Sequence, residues 1–153
     1  MSSNDNISRA VSQVMETSAF MMAMPCDAED LDTPEASLIS VDVEVAGDKP
    51  GKVFVVAPLA FARELAANVL GVDEDDDDIE RRVGDAFREL CNVITGQIVT
   101  TLFGESATVS LSPPKSAMHD AAAWEELCTS EENFAFDVED YPVVLHFDFQ
   151  AGA

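Results

Sequence analysis

Residues 79–103, IERRVGDAFRELCNVITGQIVTTLF, form the longest periodic segment of this 153-residue chain. At 3.6 residues per turn, one narrow stripe of the segment collects large apolar side chains, Val83, Phe87, Leu90 and Ile94. The spacing predicts a long helix that begins near Ile79, packs this stripe against a core and ends before Gly104.

The opposite side of the predicted helix carries a polar cluster. Asp85, Glu89 and Asn92 fall within roughly 60° of one another around the helix axis, and we call them the polar triplet. Gly96 lies on the same side, four residues after Asn92. A glycine inside a helix costs about 1 kcal/mol relative to alanine, which makes sense if a partner approaches the backbone there. Geometry alone favours the simpler explanation, that the triplet is the ordinary polar outer face of an amphipathic helix.

The segments before this helix predict four elements. Residues 7–24 have helical spacing and stop at Pro25. Residues 38–57 read as strand, turn and strand, the second strand being apolar on both faces and therefore more central in a sheet. A short helix then follows, starting at Pro58 and closing at Gly71.

After Gly104, three stretches alternate between apolar and polar residues and predict strands: 107–112, 133–138 and 143–149. A short helix fits residues 121–127. The predicted order is therefore helix, two strands, two helices and three strands. This order is typical of an α+β fold in which helices pack on a mostly antiparallel β-sheet. We expect one domain over residues 1–153, with residues 1–6 disordered.

The net charge of −22, from 30 acidic and 8 basic residues, limits the partners available to this chain. Nucleic acids and anionic membranes are bound through basic patches, so the composition argues against both. The apolar runs are far shorter than the roughly 20 residues of a membrane-spanning helix, and the first residues lack the pattern of a secretion signal. We expect a soluble, cytoplasmic protein.

Residue types that often form metal or redox sites occur here without the required spacing. The acidic run VDEDDDDIE, residues 72–80, resembles a calcium-binding loop but lacks its glycine in every register. Its carboxylates suit capping and charging the N-terminus of the helix that follows. Cys26, Cys91 and Cys128 are scattered, and we predict that they are reduced thiols. His119 and His146 each stand alone in the sequence, and we predict no metal or cofactor site at any of these five residues.

The polar triplet alone does not make a familiar hydrolase site, because no histidine or nucleophile accompanies it. Its groups could instead complete the active site of another protein. A carboxylate can pair with a lysine, and an amide can orient a water molecule for attack.

The spacing D-x3-E-x2-N of the polar triplet, followed by VITG at residues 93–96, resembles the signature helix of the CheC/CheX/FliY phosphatases of bacterial chemotaxis. Residues 11–25, VSQVMETSAFMMAMP, resemble the opening helix of CheX-like proteins, and the order of elements fits through the final strand. The resemblance covers most of the chain.

This resemblance implies an enzyme that speeds hydrolysis of the aspartyl phosphate of a CheY-like response regulator. Glu89 is then expected to contact a lysine of the regulator, and Asn92 to enter its phosphorylation site and position the water. Asp85 is expected to support docking or the position of Glu89, and Gly96 to border the partner. Mg²⁺ is expected in the regulator and not in this chain.

The first helix indicates the subtype within the family that the chain resembles. Ser12, Glu16 and Ala19 repeat the spacing of the polar triplet with alanine in place of asparagine, so this helix offers no amide to orient water. CheC proteins resemble a duplication with two working signatures, whereas CheX proteins have one, as here. CheX-like proteins are associated with homodimers, and alternating strands leave sheet edges that a second subunit can cover.

Two other interpretations stay open. The chain could be a non-catalytic adaptor that binds a response regulator or a flagellar-switch protein through the same helix. It could also be an acidic structural domain in which the polar triplet has no role.

Overall fold

The computed structural model describes residues 3–73, 75–76, 78–128 and 133–149. The helices are α1 (Ser3–Ser18), α2 (Leu59–Leu70), α3 (Ile79–Phe103) and α4 (Trp124–Leu127). The strands are β1 (Ala23–Cys26), β2 (Leu38–Gly47), β3 (Gly51–Pro58), β4 (Val109–Leu111), β5 (Lys115–His119), β6 (Phe134–Val138) and β7 (Tyr141–Phe149). Single 3-10 turns form at Ala28–Asp30 and Ala121–Ala123.

The strands form one sheet in the order β1-β6-β7-β3-β2, and β4 and β5 both pair with the outer edge of β2. Each of these pairings is antiparallel. The predicted α+β class, with helices on a mostly antiparallel sheet, is confirmed. Strand β3 lies inside the sheet and is buried on both faces from Val55 to Pro58, as its apolar sequence predicts.

The main core lies between one face of the sheet and helices α1, α2 and α3. The apolar stripe of α3 is buried there, and the ring of Phe87 packs edge-on against Phe61 of α2 at a centroid distance of 6.2 Å. A second, smaller core on the other face is centred on Trp124 of α4, with Leu38, Val56, Ala135 and Val144. Helix α3 packs against both α1 and α2 in this layer, with its apolar stripe toward the core.

Helices α2 and α3 have the predicted bounds. Pro58 precedes the first turn of α2, and Gly71 ends it with a left-handed φ of 70°. The acidic run before α3 acts differently from the prediction, because the Asp78 carboxylate pairs with Arg81 and caps no backbone N–H. The Asp76 carboxylate accepts a hydrogen bond from the Asp78 N–H at 2.9 Å. Residues 74 and 77 of the run lie outside the described residues.

The predicted extent of the first helix, residues 7–24, is wrong at both ends. Helix α1 ends at Ser18, because Phe20 turns the chain with a φ of 58° and the Met21 N–H donates to the Met15 carbonyl at 3.1 Å. No glycine marks this turn, so the sequence carries no stop signal. The helix begins at Ser3, so residues 3–6 are helical where we expected disorder, with Asp5 favourably placed in the first turn. Residues 1 and 2 lie outside the described part.

Two strands are missing from the predicted order. Strand β1 begins within the last two residues assigned to the first helix and pairs with β6. Strand β5 pairs with β2 but is exposed at four of its five residues, so it lacks the alternation that reveals a strand. The short helix expected at residues 121–127 is present as a 3-10 turn followed by α4.

Candidate active site

Helix α3 presents the polar triplet on its outer side, as its periodicity predicts. Glu89 is exposed, Asn92 is half-buried, and the side chain of Asp85 is 69% exposed. The buried stripe on the opposite side fixes the rotation of the helix, so these three side chains point away from the core.

Asp85 is not a free carboxylate. The Arg88 guanidinium pairs with it across one turn of the helix and donates a second hydrogen bond to the Ser116 hydroxyl on β5, at 2.7 Å. Gly84 leaves room for this arrangement, since a Cβ at that position would lie 3.2 Å from Arg88 Nη1. Arg88 therefore ties the triplet side of α3 to the sheet edge.

Neither Arg88 nor Ser116 was among the site residues predicted from the sequence. Opposite charges three residues apart on a helix are a known pairing signal, so Arg88 could have been found from Asp85. Ser116 could not, because it lies on a strand without a sequence pattern.

Glu89 and Asn92 differ from Asp85. Among the described residues, no side-chain hydrogen bond or ion pair engages the Glu89 carboxylate or the Asn92 amide. An exposed carboxylate and an amide one turn apart, both unengaged, can bind groups of another molecule without first breaking internal contacts.

Gly96 lies one turn after Asn92, in open space. A Cβ built on it meets no atom within 4 Å, so internal packing does not require glycine at this position. The helix backbone is therefore accessible at this point of the surface.

The corresponding positions on α1 do not form a similar surface. Glu16 is exposed, but the Ser12 hydroxyl is enclosed and finds no hydrogen-bond partner among the residues that the structure describes. Ala19 lies beyond the end of the helix and is fully buried in the main core. The α1 positions therefore differ from the polar triplet in two ways: they include no amide, and the third position is buried and not on the helix surface.

The cysteines and histidines lie away from the outer side of α3. The three thiols are free, and burial raises the pKa of Cys91 well above its usual range and that of Cys128 to about 11. Such thiols stay protonated and weakly nucleophilic at neutral pH. His119 shares a 2.8 Å hydrogen bond with Ser40, and His146 stacks on Phe54. Burial lowers the pKa of His146.

Within the described residues, no group of three or more His, Cys, Asp or Glu side chains is placed to hold a metal ion. None of the described helices combines the length and the apolar character needed to cross a membrane.

Comparisons with known proteins place the chain in a family. A family model described as chemotaxis phosphatase CheX matches residues 39–139, which include α3. Among curated proteins, none matches the chain at a significant level.

Several solved structures share the fold. A proposed chemotaxis protein of Desulfovibrio vulgaris Hildenborough is 21% identical over 98% of this chain and 97% of its own, with a TM-score of 0.72. The chemotaxis protein CheX of Desulfovibrio desulfuricans is 19% identical over 98% and 100%, with a TM-score of 0.70.

A third similar structure is a CheX-CheY-BeF3-Mg²⁺ complex from Borrelia burgdorferi, 20% identical over 95% of this chain and 96% of that chain, with a TM-score of 0.65. These likenesses agree in fold with the family model, which covers about two thirds of the sequence. The chain therefore belongs to the family of the chemotaxis phosphatase CheX.

Proposed function

We propose that this chain accelerates hydrolysis of the aspartyl phosphate of a CheY-like response regulator. The observation that carries the proposal is the pair Glu89 and Asn92, unengaged and outward on α3. The similar Borrelia burgdorferi protein is seen with CheY, BeF3 and Mg²⁺, where BeF3 stands in for a phosphoryl group. That complex supports a CheY-like regulator as the partner of this chain.

Asn92 orients the attacking water in this mechanism. Its amide can accept a hydrogen bond from the water and donate one to a phosphoryl oxygen, which holds the water in line with the bond that breaks. A bond forms between the water oxygen and phosphorus while the bond to the aspartate oxygen breaks. The products are a free aspartate carboxylate on the regulator and inorganic phosphate.

Glu89 pairs with a lysine of the regulator and thereby fixes the position of Asn92 over the phosphoryl group. Mg²⁺, held by the regulator, offsets the charge of the phosphoryl oxygens. Asp85 supports docking indirectly, since its partner Arg88 fixes this side of α3 to β5. Gly96 lets the regulator approach the helix backbone.

We also propose that the protein is a cytoplasmic, single-domain homodimer. Strand β5 is exposed along most of its length and offers a sheet edge to a second copy. The other edge, β1, contains Pro25, which lacks an N–H to donate. Light scattering at several concentrations tests the dimer, which a purely monomeric protein contradicts.

The decisive experiment follows the decay of a phosphorylated CheY-like regulator from the same organism, with Mg²⁺ present. The regulator is measured alone, with catalytic amounts of this protein, and with the Glu89→Ala/Asn92→Ala variant. If the wild type speeds decay and the variant does not, the result supports a shared active site. Binding without faster decay supports the adaptor. If the protein does not bind the regulator and the variant behaves like the wild type, the result supports a structural role.

A further inference from the structure

Beside the polar triplet, a small apolar depression forms where the end of α1 meets α2 and α3. Its volume is about 90 Å³, and the residues that line it include Ser18, Leu65, Val69, Glu89, Leu90 and Val93. Apolar cavities of about 150 Å³ accept benzene, so this depression has the size for one aliphatic side chain.

The apolar side chains at its rim are exposed although the main core is adjacent. Val69 is 50% exposed and Val93 is 38% exposed, and Val93 lies one helical turn after Glu89. Phe20, two residues beyond Ser18, is 65% exposed on left-handed backbone. The residue before it, Ala19, is held in place because its carbonyl accepts a hydrogen bond from the Asn68 side-chain amide at 3.1 Å. Large side chains held outward in this way are typical of a binding surface.

The position of Glu89 indicates what the depression receives. Glu89 lines the depression and is also exposed with an unengaged carboxylate, so an occupant that uses both features places an aliphatic group beside a cation. The net charge of −22 favours a basic partner surface in the same way. On the other flank of the triplet, the Arg88 tether to Ser116 makes a polar boundary.

We infer that this depression is the docking pocket for an aliphatic side chain of the response regulator, adjacent to the lysine that pairs with Glu89. The inference rests on the proposed function and adds a second contact to it. Burial of that side chain supplies binding energy before the chemical step, while Asn92 acts only within the step. The two contacts therefore affect different kinetic constants.

The test measures kcat and KM for dephosphorylation of the regulator by Val69→Ser, Val93→Ser and the double variant. We expect the double variant to raise KM about tenfold, equal to about 1.4 kcal/mol, with kcat within about twofold of wild type. Both valines are substantially exposed, so the fold should be retained, which thermal unfolding checks.

Met24→Ser is the matched control. Met24 is 60% exposed on β1. It lies two residues before Cys26 and so on the same face of the strand, and Cys26 packs against the second core, on the face of the sheet opposite the helices α1, α2 and α3. This control should leave KM unchanged. An unchanged KM in the double variant overturns the inference. Loss of self-association alone also overturns it, because the pocket would then bind a second copy of the chain.

If the wild type does not accelerate decay, binding of the beryllofluoride-activated regulator separates the two proposals. A dissociation constant that rises about tenfold in the double variant retains the docking pocket without the phosphatase mechanism. Equal dissociation constants, or no binding by the wild type, overturn the pocket as well.

Discussion

Helices α1 and α3 carry the same spacing of residues but present it to solvent in different ways. On α3, all three positions of the polar triplet lie within one uninterrupted helix of 25 residues. On α1, the helix ends at Ser18, so the third position, Ala19, has turned into the core. A shared spacing therefore gives a shared surface only where the helix continues through all of its positions.

The difference also shows which groups can act on a partner. The α3 surface offers an unengaged carboxylate and amide, Glu89 and Asn92, beside a tethered Asp85. The α1 surface offers only Glu16, because the Ser12 hydroxyl is enclosed. We expect one active surface per chain, and the following experiments try to break or sharpen this contrast.

The largest effect is expected from Asn92→Ala. Loss of the amide removes the group that orients water, so acceleration of phosphate release should fall about 100-fold or more. Binding of the beryllofluoride-activated regulator should change less than threefold, because Glu89 and the apolar contact remain. Stopped-flow decay and fluorescence binding measure the two quantities, and a variant with full activity would refute the mechanism.

The Ala19→Asn variant tests whether α1 can be converted into a second active surface. The added amide enters the core without a partner, so we expect the free energy of unfolding to fall by about 2 kcal/mol with no gain in activity. Urea denaturation and phosphate release measure these changes. Ala60→Asn, at an exposed position of α2, is the control and should cost less than about 1 kcal/mol. Increased activity in Ala19→Asn contradicts the contrast.

Glu89→Gln and Glu16→Gln compare the two exposed glutamates directly. Removal of the charge at residue 89 should weaken regulator binding about tenfold, or about 1.4 kcal/mol, because a charged interface contact is lost. The same change at residue 16 should leave binding unchanged. Titration calorimetry at two salt concentrations measures both, and equal losses would mean that the overall negative charge, and not α3, attracts the regulator.

Gly96→Ala should produce the smallest effect. The new Cβ enters open space on helical backbone, so the free energy of unfolding should rise by up to about 1 kcal/mol. If the regulator approaches the α3 backbone at residue 96, the added methyl group should lower turnover of the regulator a few-fold. Gly84→Ala is the control, with a smaller gain expected because its Cβ would crowd Arg88. Unchanged turnover removes Gly96 from the contact surface.

Much of α3 could be predicted because its pattern is local. A 3.6-residue period separates the buried stripe from the polar triplet without any knowledge of the partners of the helix. Proline and glycine similarly marked the ends of α2. Strand β3 was recognisable from its apolar residues on both faces, which only an internal strand can bury.

Other features depend on contacts between residues far apart in the chain. The α1 turn at Phe20 lacks glycine, and β5 is too exposed to show alternation, so neither leaves a local signal. The Arg88 contact with Ser116 forms only when β5 is placed next to α3.

The sequence by itself determined the length of α3, its two faces and the chemistry of the polar triplet. Only the tertiary structure decided that Asp85 is tethered, that Glu89 borders an apolar depression and that Ala19 is buried. The physical reason is that helix periodicity arises from neighbouring residues, whereas burial and tethering arise from whichever elements the sheet brings alongside.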